Sequence, residues 1–328
     1  MRMFTLALAL LATSSVSFSQ AIAAPKVGLV FDKGGKDDKS FNASAWRGLQ
    51  QARDELKLEI KAVEAADDNA FETLLRAFAQ KDFDLIIGVG IAQAQAVKKI
   101  AGQFPAKKFA IIDAEVQLPN VRSILFEEHE GSYLAGALAA MASKSGKIGF
   151  IGGMDVPLIR RFQMGYEAGA RKVSPHIKVT SNYVGVSTEA WNNPAKGKEL
   201  ALSQYDAGAD VVFSAAGASG MGMFDAAEER KKLAVGVDSN QNWVKPGRVL
   251  TSMLKRVDQG VLMACRDLVA GKFSAGSVRY GLKNGGIDVA MDEFNRNIVT
   301  QEMASRIAAL KREIIAGKIQ VPDYYKKQ

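Results

Sequence analysis

Three aspartates, Asp32, Asp113 and Asp238, each follow an apolar run and open a loop. In a doubly wound α/β fold the carboxyl ends of the strands share one rim, so three such carboxylates would gather at one side of a cleft. There they accept hydrogen bonds from vicinal hydroxyls or a ring N–H with charge-assisted strength. The plainer alternative is that an Asp after a strand caps the next helix. Asp32 opens the densest of these turns, Phe31-Asp32-Lys33-Gly34-Gly35-Lys36-Asp37-Asp38-Lys39-Ser40-Phe41-Asn42. Its glycines allow tight backbone, Ser40 or Asn42 stands where a helix cap belongs, and Phe41 is an apolar ring in a polar turn. The three carboxylates with Phe41 beside them favour a binding rim over three caps.

Other residues fit such a rim. Gly88 and Gly90 end an apolar run, where backbone approaches a ligand closely or simply turns tightly. Phe213 ends Val211-Val212-Phe213, just before a small-residue loop containing Gly217. One aromatic from each side, Phe41 and Phe213, would clamp a planar base; the alternative for Phe213 is ordinary strand core. Lys255 follows the apolar run Val249 to Leu254, beside Arg256, as a cleft cation or as part of a solvated basic edge. Enzyme readings fare worse. Gly217-Ala218-Ser219-Gly220 lacks the spacing of a nucleophile elbow. Gly197-Lys198 is followed by Glu199 rather than Ser or Thr, and the first turn has no Rossmann glycine fingerprint. Asp37 and Asp38 are interleaved with lysines, which neutralise them and argue against a metal site. Catalytic residues, metal and cofactor are therefore not expected.

The elements that must position these residues form an alternating series. Short apolar runs such as Lys26 to Phe31, Asp84 to Val89 and Phe109 to Asp113 alternate with amphipathic runs such as Ala43 to Leu56 and Ala92 to Gln103. The pattern repeats from Ile148 to Val237. Repeated βα units give parallel sheets covered by helices on both faces, and two series suggest two lobes. The 328 residues, 48% hydrophobic and 24% charged, suffice for them. Residues 1–23 carry Arg2, an apolar centre and small residues ending Ala21-Ile22-Ala23, a secretory leader too short to span a bilayer. A lone Cys265 and two histidines exclude disulfide scaffolds and cysteine-rich zinc sites. The formal charge of +8 comes from Lys and Arg scattered among acids, a solvated surface rather than a nucleic-acid face.

The long first turn resembles the opening signature of the basic membrane protein family, solute-binding receptors of ABC importers whose best-known members bind purine nucleosides. Gly88 to Gly90, Ile111 to Asp113, Val235 to Asp238 and Lys283 to Gly286 follow in the expected order, so the likeness covers nearly the whole chain after the leader. The resemblance implies an α/β fold of two doubly wound parallel-sheet lobes joined by a hinge, like a type I periplasmic binding protein. It implies an aromatic sandwich around the base, with Phe41 as first member, and a cleft lysine, here Lys255, that pairs with Asp238 and donates to a ribose hydroxyl. The implied ligand residues are Asp32, Phe41, Asn42, Gly90, Asp113, Phe213, Gly217, Asp238 and Lys255. Crossings near Phe126, Asp238 and Gly271 would divide the chain into a first lobe of 24–126 plus 239–271 and a second of 127–238 plus 272–328. Many members are lipoproteins, but this leader has no cysteine, so a freely diffusing periplasmic monomer without a membrane anchor is expected. Its partners would be a small polar ligand and an ABC permease. A secreted sensor for a membrane receptor and a nucleoside hydrolase are the alternatives.

Overall fold

The computed structural model describes residues 24–326, and the expected leader at 1–23 lies outside them. The first series comprises β1 (Lys26–Phe31), α1 (Phe41–Leu56), β2 (Glu59–Glu64), α2 (Ala70–Ala79), β3 (Leu85–Val89), α3 (Ala94–Gln103), β4 (Lys108–Ile112) and β5 (Val121–Phe126). The second comprises α4 (Glu128–Ala142), β6 (Lys147–Met154), α5 (Pro157–Val173), β7 (Lys178–Gly185), α6 (Pro194–Asp206), β8 (Val211–Ala215), α7 (Gly220–Glu229), β9 (Leu233–Asp238) and β10 (Val249–Lys255). The remainder is α8 (Val257–Val269), β11 (Gly276–Tyr280), β12 (Ile287–Val289) and α9 (Gln301–Ile315).

Two six-stranded sheets result, in the orders β11-β5-β4-β3-β1-β2 and β12-β10-β9-β8-β6-β7. The first is parallel throughout, and the second is parallel except for β12, which runs against β10. Central strands read as unbroken apolar runs because helices cover both faces; every residue of β3 and β8 is buried. The edge strand β2, Glu-Ile-Lys-Ala-Val-Glu, has no fully buried residue. In the first lobe α2 and α3 bring Phe71, Leu75, Val97 and Ile100 onto one face of the sheet. In the second, α6 and α7 bring Tyr205, Met223 and Phe224 onto theirs.

The strand pairing moves two of the three expected crossings. β10 is laddered to β9 from Val249 to Leu254, so the chain remains in the second lobe beyond Asp238 and leaves it only after Lys255. β11 is laddered to β5, so the chain remains in the first lobe beyond Gly271 and returns after Tyr280. The 239–271 and 272–328 segments are therefore each divided between lobes, with α8 packed on α1 and α9 packed on α4. Strand order in a parallel sheet comes from long-range pairing, which local apolar patterning does not encode. The crossings are tied to each other: Glu127 N–H donates to the Tyr280 carbonyl at 2.8 Å, and Arg256 N–H to that of Gly286 at 2.9 Å. Among the described residues no helix is long and apolar enough to cross a membrane.

Candidate functional site

Each sheet has the strand order 2-1-3-4-5 in its own numbering, so its topological switch point lies between its first and third strands, where ligands of open α/β sheets sit. In the first lobe that crevice is flanked by Asp32 and Gly90. Gly90 has φ +98°, and a Cβ there would lie 2.3 Å from Asp32 Oδ2, so only glycine leaves room for the carboxylate. Asp113, after β4, and Asp238, ending β9, occupy matching places in the two lobes. Both take left-handed backbone, φ 70° and 63°, which is uncommon for a side-chain-bearing residue and marks strain retained at a site.

These strand ends enclose a cavity between the lobes, about 570 Å3 of empty space counting its open mouth. Of the nine residues expected from sequence, Asp32, Phe41, Asn42, Gly90, Asp113, Gly217, Asp238 and Lys255 line it, and Phe213 does not. Phe213 is wholly buried, with its ring centroid 5.6 Å from that of Phe150 and 5.2 Å from that of Tyr166. It belongs to the alternative reading, strand core. The aromatic surface that the second lobe does present comes from Phe162, one turn into α5, and from Trp191, before α6. Leu158 and Ile159 extend the same wall. Trp191 ends a short 3-10 turn, Thr188–Trp191, in a polar stretch of sequence, the same signal that Phe41 gave. Phe162 has no such signal, since an aromatic on an amphipathic helix reads as core.

The polar groups divide into those that build the turn and those left for a ligand. Asp38 accepts N–H bonds from Ser40, Asn42 and Ala43 at 2.8–2.9 Å. It thus performs the capping expected of Ser40 or Asn42. Asn42 Oδ1 accepts from Asp32 N–H at 3.0 Å and its Nδ2 donates to the Asp32 carbonyl at 3.3 Å, so this side chain braces the turn. The hydroxyl of Ser40 donates to Asp238 Oδ2 across the lobes at 2.6 Å. The Asp32 carboxylate, by contrast, accepts only the N–H of Lys33 among the described residues, at 2.8 Å. Asp113 Oδ1 and Trp191 Nε1 are buried with no partner among the described residues, an acceptor and a donor that an occupant can satisfy.

Lys255 does not pair with Asp238. Leu254 stands opposite Asp238 in the ladder, so Lys255 lies one residue on, at the crossing. There its ammonium contacts Asp113 Oδ2 at 2.5 Å and Glu128 Oε1 at 3.0 Å. It also lies 5.2 Å from the Phe41 ring centroid and 5.6 Å from that of Phe162. Burial dominates the titration of the rim. Loss of water pushes Asp32 up to about 7, against the single N–H bond from Lys33. Burial likewise raises Asp113 to about 7, opposed by Lys255 and reinforced by Glu128, and Asp238 to about 6, again opposed by Lys255. Burial works to lower the Lys255 pKa, but Asp113, Glu128 and Asp238 together outweigh it and raise it.

An interlobe cavity lined by buried carboxylates, one buried ammonium and aromatic walls defines a two-lobed binding protein for a small polar molecule. The chain belongs to the Bmp family, ABC transporter substrate-binding proteins of PnrA-like type, whose model matches residues 25–324. It is 37% identical over 323 residues to the ABC transporter nucleoside-binding protein BmpA of Lactococcus lactis subsp. cremoris, covering 90% of this chain and 89% of that one. It is 33% identical over 306 residues to Basic membrane protein A of Borreliella burgdorferi, covering 91% and 88%. An ABC transporter solute-binding protein of solved structure from Aeropyrum pernix K1 superposes with a TM-score of 0.82 at 29% identity, covering 91% of this chain and 94% of that one. The fold is that of the type I periplasmic binding proteins.

Proposed function

We propose that this solute-binding protein captures a purine nucleoside between its lobes in the periplasm and delivers it, chemically unchanged, to an ABC permease. The observation that carries the reading is the composition of the cavity, with carboxylates Asp32 and Asp113 from the first lobe, Asp238 from the second, and the rings of Phe41, Phe162 and Trp191 around it. Flat rings bind a planar base with little regard to its substituents, while carboxylates accept from ribose hydroxyls and from base N–H groups. The nucleoside-binding relative supports the same ligand class. Export through the leader read in residues 1–23, which has no cysteine, goes with a freely diffusing receptor. In this reading Phe162 or Trp191, rather than Phe213, completes the clamp opposite Phe41.

Isothermal titration with inosine, guanosine and adenosine, alongside ribose and amino acids, tests the proposal. Purine nucleosides should bind and raise the melting temperature, and chromatography should recover them intact. Phe41→Ala should weaken that binding by about 1–3 kcal/mol, roughly five- to two-hundredfold. A ribose or amino-acid ligand with no nucleoside response would refute the ligand class, and release of free base would make the protein a hydrolase.

A further inference from the structure

Behind the cavity lies a cluster that the binding reading does not use. Arg161, on α5, is only 2% exposed and has a partner for every face of its guanidinium. Its Nε donates to Asp323 Oδ1 at 2.7 Å, and its Nη1 to the Phe126 carbonyl at 2.7 Å and to Glu128 Oε2 at 2.5 Å. Its Nη2 donates to Glu127 Oε2 at 2.7 Å and to His129 Nδ1 at 2.9 Å. Glu127, His129 and Asp323 present ligand atoms close enough together for a cation, and the guanidinium occupies that role. Tyr325 covers the group from outside, its ring centroid 4.8 Å from the Arg161 Cζ. One side chain thus gathers the first crossing, the start of α4, the helix that carries Phe162, and the C-terminal tail.

The connection to the cavity runs through Glu128, which is 1% exposed. One of its oxygens meets Arg161 and the other meets Lys255 at 3.0 Å, so a single carboxylate bridges the tail-bound arginine and the cleft ammonium. A buried carboxylate between two cations is held in one rotamer by both, and removing its charge leaves the cations without their shared counter-ion. Lys255 would then retain Asp113 as its one close anion among the described residues. Asp113 is the residue whose second oxygen is free for an occupant.

We propose that Glu128 is a positioning residue for Lys255, and that the C-terminal tail, through Asp323 and Arg161, sets Glu128, making residues 323–325 part of the binding apparatus. The inference rests on the nucleoside-receptor reading for its affinity arm only. In that arm Glu128→Gln should weaken nucleoside binding about tenfold, and the loss should vanish in a Lys255→Met background, because the carboxylate acts through the ammonium. Asp323→Asn should act in the same direction by about threefold. Both roles lower the melting temperature, since the buried cations lose their counter-ion, but a merely structural role would add its loss of affinity to that of Lys255→Met. The other arm needs no ligand: in the 1H–15N spectrum at neutral pH, Glu128→Gln should shift the Lys255 ammonium resonance and speed the exchange of its protons with water, because one of its two contacting carboxylates loses its charge. A Lys255 ammonium resonance unchanged from the parent chain, or a full-sized Glu128→Gln effect on affinity without Lys255, overturns the proposal. A parent chain that binds no nucleoside refutes the function proposed above, while the ammonium spectrum still decides the role of Glu128.

Discussion

At the ends of β1 and β4 the first lobe presents Asp32 and Asp113 to the cleft, whereas at the matching ends of β6 and β9 the second lobe presents only Asp238. Its counterpart of Asp32, Asp155, turns outward and is bound by Arg160 at 2.5 and 2.6 Å on the surface. The end of β5 is Phe126 and the end of β10 is Lys255, so the first lobe's aromatic is answered by the second lobe's cation. Helix starts differ in the opposite sense. α1 offers Phe41 beside a turn full of hydrogen bonds, while α5 offers Leu158, Ile159 and Phe162. One architecture, used twice, supplies polar recognition from one side and an apolar cover from the other. Closing the cover removes water from the carboxylates, which strengthens every hydrogen bond an occupant makes to them.

The aromatic residues of the second lobe give the largest test of this division. Phe213→Ala removes a fully buried ring packed on Phe150 and Tyr166, so it should cost about 3–5 kcal/mol of stability. The fraction that remains folded should bind ligand as the parent does. Phe162→Ala trims the cover, and its signature should be a loss of affinity of about 1–3 kcal/mol. Denaturant unfolding and calorimetric titration on both variants make the comparison. If Phe213→Ala proves the poorer binder under conditions where both are folded, the assignment of cover and core is reversed.

The acidic side can be probed through its protons. Asp32, Asp113 and Asp238 have folded-state pKa values raised above the ordinary carboxylate range by burial, and so does Asp38, at about 6. A raised carboxylate binds more protons folded than unfolded, so its contribution is favourable at low pH and is lost as pH rises through about 6 to 7. His129, lowered by burial and by Arg161, works the other way, losing stability as pH falls through its unfolded value, but it is one group against four. The empty protein should therefore melt higher at pH 5 than at pH 7.5. A ligand that donates to ionised carboxylates should do the reverse and bind more weakly at pH 5. Asp32→Asn should stabilise the empty protein at pH 8 by about 1–3 kcal/mol and lower its affinity by a similar amount. Parallel pH trends for melting and affinity would contradict an acidic rim that is costly when empty.

The polar half of the cleft was legible because its signals are local. Asp32, Asp113 and Asp238 are strand-end residues, and Gly90 and Phe41 stand out against their neighbours. The alternation of runs also sufficed for two α/β lobes. What escaped depends on which way a side chain points or on pairing across the chain. Phe213 and Phe162 are both aromatics on apolar elements, and only tertiary packing separates core from cover. Glu128 and Arg161 look like surface charges until the crossing buries them. The assignment of β10 and β11 to their sheets needed partners more than a hundred residues away in the case of β11 and β5.

The smallest expected effect lies outside the cavity lining, where loops of the two lobes touch through polar side chains. The Lys33 ammonium reaches Glu189 at 2.9 Å and the Ala66 carbonyl at 2.9 Å, and the Thr188 hydroxyl donates to Asp68 at 3.0 Å. None of these side chains lines the cavity. They can act on a ligand only by favouring the arrangement in which the lobes meet, as expected for hinge closure. Glu189 is 69% exposed, so solvent and salt screen the pair and its contribution is modest. Lys33→Ala should thus weaken binding by at most about fivefold, with the change in the dissociation rate. Raising the salt should shrink the difference between variant and parent, because the parent loses the same ion pair to screening. Stopped-flow dissociation at low and high salt measures both. A much larger loss that persists at high salt would mean that Lys33 reaches the ligand itself, and the division between a reading lobe and a covering lobe would extend to the mouth of the cleft.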